Sequence, residues 1–505
     1  MTNQKQSSNS YGATIHSSSL QEVKYIPSAV GNVETGQAFK PEQTEPKKKD
    51  TLFLYFVVLT GCMPIIVGGG SFVWTSPAIP KLQLNNSEEN PIGRPITTTE
   101  VSMIAGLPPL MMLLGSLLLG RLSQIIGPKK CLQVIGLGIF VSAVIIAFST
   151  KVILIIVFRC FLYMFYNGTL TVFPVYITEI CEDHNRAKYG CLSMVFLPLG
   201  NLYSYILGSF FSLKCYSLLL AAPAAYFLIF FFFVPESPVY SLSRGRREEC
   251  KETLTKLRSN KTEKEIEHDI EKLEDTLKER ENAKSGNIFQ IFSTKELRFA
   301  MVLALGPVLV QNLSGVTIVM AFMAPIFNAA GFSGNYMSII VGCIKVSTIT
   351  LTSLVVERTG RRPMLLISSI GTGIPLLILG FFFYLKHINS PLVPSIQFLP
   401  LACIVCNVIM YALGLGSIPM AIMGELFTPD MRAAAVSVVT AAMGLCIFVT
   451  TSSYPFMEEM LGIHWCVWLY CCICFVGATF IYFMIPETKG KSIPEIQEYL
   501  RTRKM

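Results

Sequence analysis

The sequence predicts an all-α membrane protein of twelve transmembrane helices in two parallel six-helix halves. Three observations carry this. Of 505 residues, 52% are hydrophobic and only 15% charged, with a mean hydropathy of +0.52, whereas a soluble chain is about a quarter charged. Apolar stretches approaching or exceeding the roughly 20 residues needed to cross a bilayer occur twelve times. Short motifs recur at matching span counts in the two halves. Together these exclude a soluble enzyme, a nucleic-acid binder and a disulfide scaffold. The net charge of +8 reads as basic cytosolic loops.

Residues 1–50 are rich in Ser, Gln, Asn and Lys. They lack a cleavable signal and read as a disordered cytosolic tail. Residues 51–234 form the first half, with apolar segments at 51–79, 99–121, 130–149, 152–178, 189–211 and 214–234. Residues 235–298 form a cytosolic helical linker. Residues 299–485 form the second half, with segments at 299–326, 336–356, 363–385, 395–424, 433–457 and 465–485. Residues 486–505 are a cytosolic tail. In the linker, Ile266, Ile270, Leu273 and Leu277 share one helical face, and Glu252–Lys256 and Glu274–Lys278 have i,i+4 spacing. The 15 cysteines mostly sit in apolar runs and read as small core residues. No metal or cofactor site is expected.

Lys and Arg placement sets the orientation. Lys129, Lys130, Arg186, Lys188, Arg358, Arg361, Arg362 and Arg432 fall on one side, and only Lys81, Arg94, Lys151, Lys214 and Lys386 on the other. The positive-inside rule puts both termini in the cytosol. Trp74, Trp465 and Trp468 are expected at the outer interface. Asn85-Asn86-Ser87 in the first outer loop is a glycosylation sequon at Asn85.

The halves repeat. Glu179 is followed seven residues later by Arg186, and Glu425 by Arg432. Gly127-Pro128-Lys129-Lys130 follows the second span, and Gly360-Arg361-Arg362 the eighth. Pro235-Glu236-Ser237 ends the sixth, and Pro486-Glu487-Thr488 the twelfth. Two parallel repeats about an axis normal to the membrane explain this, with a solute site near the midplane between them. The acids and bases at one depth, which also include Glu357 and Arg358, read as a cytosolic gate whose ion pairs hold and release the inner ends. Topology anchoring is the bland alternative, but it uses only Lys and Arg.

These residues identify a resemblance. Pro174-Val-Tyr-Ile-Thr-Glu179, Pro235-Glu-Ser-Pro238, Val356-Glu-Arg-Thr-Gly-Arg-Arg362, Gly424-Glu-Leu-Phe427 and Pro486-Glu-Thr-Lys-Gly490 resemble the motifs of the sugar porters of the major facilitator superfamily, across roughly 51–500. Trp74-Thr-Ser-Pro-Ala-Ile-Pro-Lys-Leu82 is similar to the insect facilitated trehalose transporter branch. The resemblance implies the major facilitator fold, a multi-pass plasma-membrane location, facilitated passage of a hexose or trehalose, and no enzymatic activity. It also places a pocket. The family's amide-rich run of span 7 reads Gln311-Asn312-Leu-Ser-Gly-Val-Thr317 here, and amides and hydroxyls suit a sugar because they donate and accept. Met194 and Met420 align with a family Gln and a family Trp, Met443 and Gly444 with polar and aromatic positions of span 11, and Gln124 and Ile125 with a family Asp and Arg. Proton-coupled members carry an Asp in span 1, where this chain has Gly68-Gly-Gly-Ser71. A uniporter is therefore expected.

Lys345 stands apart. It lies near the middle of span 8, where an ammonium costs about 2.5–3.5 kcal/mol or more, and the spans offer no carboxylate near the midplane. Three readings stay open: a solute contact, a structural lysine held by carbonyls or amides, or a side chain that snorkels or is neutral. Arg159 is expected to pair locally or snorkel, and Asn167, Asn201 and Asn407 to bond between helices. The expectation is a monomeric sugar uniporter whose partners are a small solute and the lipid bilayer. Its alternatives are a carrier of a non-sugar, anionic solute and a transport-poor solute sensor.

Overall fold

A computed structural model describes residues 50–85, 89–282, 293–356 and 359–489, with 491, 495 and 498. The tail 1–49, Asn86 and Ser87 of the sequon, and Glu357 and Arg358 lie outside the described residues. The described chain is helical, with no strand. Twelve of its helical spans are long and apolar enough to cross a membrane: Leu52–Phe72, Thr98–Ile126, Pro128–Phe148, Val152–Ile180, His184–Phe210, Leu213–Phe233, Lys295–Ala321, Gly334–Leu351, Arg361–His387, Val393–Leu426, Ala434–Leu461 and Ile463–Met484. They are spans 1 to 12 below. The ends bearing Lys129, Arg186 and Arg361 are the basic end, and the opposite ends the far end.

Local chemistry sets the span limits. The helix of span 2 starts on a capping box, with Thr97 Oγ1 accepting from Glu100 N and Glu100 Oε2 accepting from Thr97 N at 2.9 Å. It stops at Gly127, whose φ of +95° disfavours an L side chain. Span 1 is helical only to Phe72 and resumes as a short helix at Thr75–Leu82. Span 7 breaks at Ser314–Gly315, and span 10 between Leu413 and Ile418.

Small residues bring helices together. A Cβ on Gly69 would lie 2.3 Å from Leu197 O, and one on Gly200 2.2 Å from Ile66 O. Spans 1 and 5 thus touch backbone to backbone, the packing that stands in for hydrophobic drive in lipid.

The halves meet at the far end. Thr75 Oγ1 donates to Ala321 O at 2.7 Å, and Ala324 N to Ser76 Oγ at 2.9 Å. Ser102 Oγ donates to Ser452 O at 2.7 Å, and Tyr205 OH to Met320 O at 3.0 Å.

Linker helices Arg247–Leu257 and Glu263–Asn282 pack Ile266 and Ile270 onto Cys250 and Leu254, the face that the spacing predicts. Glu274 bonds Arg247 at 2.6 Å rather than its i,i+4 lysine. Arg258 and Lys261 join Glu182 to Asp269, and Thr51 Oγ1 donates to Leu257 O at 2.9 Å. The linker is therefore pinned to the first half. Trp74 departs from its expected interfacial place. It is 2% exposed, it stacks on Tyr216, and its Nε1 donates to Ser217 Oγ at 3.2 Å. The break after Phe72 turns it inward. Trp465 is exposed, as expected of an interfacial indole.

Gly200→Ala should lower the midpoint of thermal unfolding in detergent, with overpacking worth about 1–3 kcal/mol. Gly190→Ala, which meets nothing within 4 Å, should not.

Candidate functional site

At the centre of the molecule is a polar bridge between the halves. Lys345 sits midway along Gly334–Val356. Its Nζ lies 2.8 Å from the amide oxygen of Asn201 in span 5, with the Asn201 amide oriented so that its nitrogen donates to Gly69 O of span 1, also at 2.8 Å. The second neighbour of the ammonium is Met320 Sδ at 3.6 Å. Lys345 thus points inward, onto an amide and a thioether. The sequence singled out both Lys345 and Asn201 but not their pairing, since nothing in linear order relates two residues 144 apart. Their shared depth is the signal that was there to use.

Above the bridge, span 7 opens at the amide run. Ser314 Oγ donates to Gln311 O at 2.9 Å, and Gly315 takes a φ of +81° beside the Tyr470 ring. Gln311 Nε2 donates to Gly416 O, in the break of span 10, at 3.2 Å. Asn312 Nδ2 donates to Val308 O of its own helix at 2.8 Å. Thr317 is buried. Met194 and Met420 are exposed. The structure therefore joins Gln311 to span 10 and Lys345 to span 5, and turns Asn312 back onto its helix.

At the basic end, the repeated acids reveal a common bond. Glu236 Oε1 accepts from Lys129 N at 2.8 Å, at the start of span 3. Glu487 Oε1 and Oε2 accept from Arg361 N at 2.9 Å and Arg362 N at 3.2 Å, at the start of span 9. Each carboxylate caps a helix N-terminus, where free amides and the dipole favour an anion. A Cβ at Gly127 or Gly360 would strike the carboxylate, which explains the glycine in both marks. Burial would raise the Glu487 carboxyl, but the amides of Lys489, Arg361, Arg362 and Thr488 outweigh it and hold it below the ordinary range.

The other marks stay near these caps. Arg361 Nε donates to Glu425 Oε1 at 3.3 Å, and Ser237 Oγ donates to Glu179 Oε2 at 2.5 Å. Glu425 Oε2 and Arg432 Nε are buried without a hydrogen bond among the described residues. Arg186 is exposed and lines a cavity of about 490 Å³ with Glu179, Glu182 and Arg258. Asn85 is exposed in the loop after span 1.

Arg159, 1% exposed, does not snorkel. Its Nε donates to Ile104 O at 3.1 Å, its Nη2 reaches Ser71 O at 3.5 Å, and its guanidinium lies 4.7 Å from the Trp74 ring centre. Asn167 and Asn407 donate to Met112 O and Thr372 O of neighbouring spans, as expected.

Glu487→Gln should cost about 0.5–2 kcal/mol, the usual loss on removing a cap. Because the folded carboxyl titrates low, its contribution is complete above the ordinary value of 4.5 and fades as pH falls through the depressed one. Thermal unfolding in detergent should therefore show wild type losing more stability than Glu487→Gln on acidification.

The comparisons with known proteins agree with this architecture. The chain matches the family described as "Sugar (and other) transporter" over residues 30–500. It is 31% identical over 477 residues to the facilitated trehalose transporter Tret1 of Bombyx mori, covering 92% of this chain and 91% of that protein. It is 30% identical over 495 residues to Tret1 of Culex quinquefasciatus, covering 97% and 93%. Against Tret1 of Drosophila erecta the identity is 31% over 446 residues, which is 87% of this chain and 51% of that protein. An inward open structure of the xylose transporter XylE from E. coli superposes with a TM-score of 0.73 at 19% identity, covering 88% of this chain and 99% of XylE. These likenesses, with the twelve spans and the repeated marks, place the chain in the sugar transporter family.

Proposed function

We propose that this protein is a facilitative uniporter for a hexose or trehalose, working by alternating access in the cell membrane with both termini cytosolic. The observation that carries the reading is the mid-membrane bridge between the halves, set beside the broken, amide-bearing turns of spans 7 and 10. Gln311, Asn312, Thr317, Lys345, Met194 and Met420 form the solute site. The trehalose transporters among its relatives support the sugar class.

In this reading the basic end faces the cytosol, and the far-end bonds from Thr75, Ser76 and Ser102 close the outside. Opening the outside breaks them. The cytosolic gate of Glu179, Arg186, Glu357, Arg358, Arg361, Arg362, Glu425 and Arg432 closes in exchange, while Glu236 and Glu487 hold the helix ends that carry it. The unbonded Glu425 Oε2 and Arg432 Nε supply hydrogen bonds for that second state. Uniport is supported by the surroundings of Arg159, which meets the carbonyls of Ser71 and Ile104 and the ring of Trp74, and no acid among the described residues. The protein works as a monomer, and its outer loop is glycosylated at Asn85.

Purified protein in liposomes should take up labelled glucose or trehalose saturably, and an imposed inward proton gradient, with voltage clamped, should leave the rate unchanged. Absence of saturable uptake of either sugar would sink the proposal. Glu425→Gln should slow exchange by about tenfold, the equivalent of one charge-assisted bond of about 1.5 kcal/mol, with little change in equilibrium sugar binding.

A further inference from the structure

Two cations, one from each half, converge on the same short stretch of span 1. Arg159 reaches Ser71 O, and Lys345 reaches Gly69 O through Asn201. Neither has a carboxylate ion pair among the described residues. Their situations differ. Arg159 is sealed, with carbonyls on its nitrogens and Trp74 against its face. Lys345 is only partly buried, and its two described neighbours are both neutral, one of them a weakly accepting thioether. An ammonium carries three N–H donors, so one is left over.

Resting on the carrier reading above, we propose that Lys345 is the specificity-determining residue for a solute bearing one carboxylate beside its hydroxyls, a sugar acid, and that the Asn201 oxygen keeps the carboxylate's place in the empty carrier. A neutral sugar needs donors and acceptors, which amides supply without a charge. A cation at membrane depth that is not enclosed by carbonyls marks a solute path. A carboxylate bonds an ammonium more strongly than an amide oxygen does, so the solute displaces Asn201 from Lys345. That exchange removes a tie between spans 5 and 8, which belong to opposite halves. Binding and release of the halves become one event. A single accessible cation matches a single negative charge; the second charge of a phosphate monoester would find Arg159 already enclosed.

The test uses the full chain in liposomes, with glucuronate, glucose 6-phosphate and unlabelled glucose competing against labelled glucose, and labelled glucuronate measured directly. Glucuronate should compete at concentrations about tenfold below those of glucose, and its uptake should respond to an imposed membrane potential. Lys345→Gln should erase the advantage and Lys345→Arg should keep it. Asn201→Ala, which frees the ammonium, should strengthen glucuronate binding, read as a larger thermal shift in detergent. Equal or weaker competition by glucuronate, an advantage surviving Lys345→Gln, or stronger competition by glucose 6-phosphate overturns the assignment. Glucose flux without any glucuronate effect sinks this inference and leaves the sugar carrier standing. Glucuronate flux without glucose or trehalose flux does the reverse. Absence of flux with no glucuronate-induced thermal shift also overturns it.

Discussion

Hydrocarbon offers a peptide group nothing to bond, and an open N–H or C=O there costs several kcal/mol. This constraint governs each place where the chain leaves the helix inside the membrane. In span 10, Ser368 of span 9 fills the break: its Oγ donates to Met410 O at 2.7 Å and accepts from Leu415 N at 2.9 Å. Gln311 bonds Gly416 O from span 7. In span 7, Ser314 bonds back to Gln311 O. The breaks are thus cross-tied, and the second half can carry irregular, polar turns near its centre without exposing them to lipid. Charge obeys the same rule. Arg159 and Lys345 are tolerated because carbonyls, an amide and aromatic faces surround them.

The spans were legible because apolarity is a local property. Their observed limits lie close to those expected, and the largest departures are the helix breaks. Span 1 stops being helical at Phe72, and this buries Trp74, which hydropathy alone places at the surface. Side-chain partners were less legible. An acid next to a base in sequence suggests an ion pair, yet Glu236 and Glu487 bond main-chain amides, a group that every residue but proline has and no motif displays. In the linker, Glu274 bonds Arg247 rather than the lysine one turn away, because the two linker helices pack together. Lys345 was recognisable as a cation in need of a neighbour, but the neighbour came from the other half. The site is therefore readable as a set of candidates, and only the fold assigns the pairs.

The two halves are not equivalent at the basic end. The linker helices attach to the first half through Thr51, Glu182 and Arg258. Their weight and charge ride with that half, so the motion proposed between the halves would leave this assembly intact. The backbone contact of spans 1 and 5 at Gly69 and Gly200 stiffens the same half next to the Lys345 bridge. A rigid partner on one side would let the change proposed at Asn201 be felt by span 8.

The carboxylates of Glu236 and Glu487 also define what would stay fixed in the alternating access proposed above. Each fastens the segment after the last helix of its half to the start of that half's third helix, closing a four-helix ring by one bond. A carboxylate seated on main-chain amides of its own half is already satisfied and does not depend on a guanidinium of the opposite bundle. In the alternating access proposed above, the rings persist like keystones while the arches they lock swing against each other, with two places that stay rigid and a seam between the halves that yields.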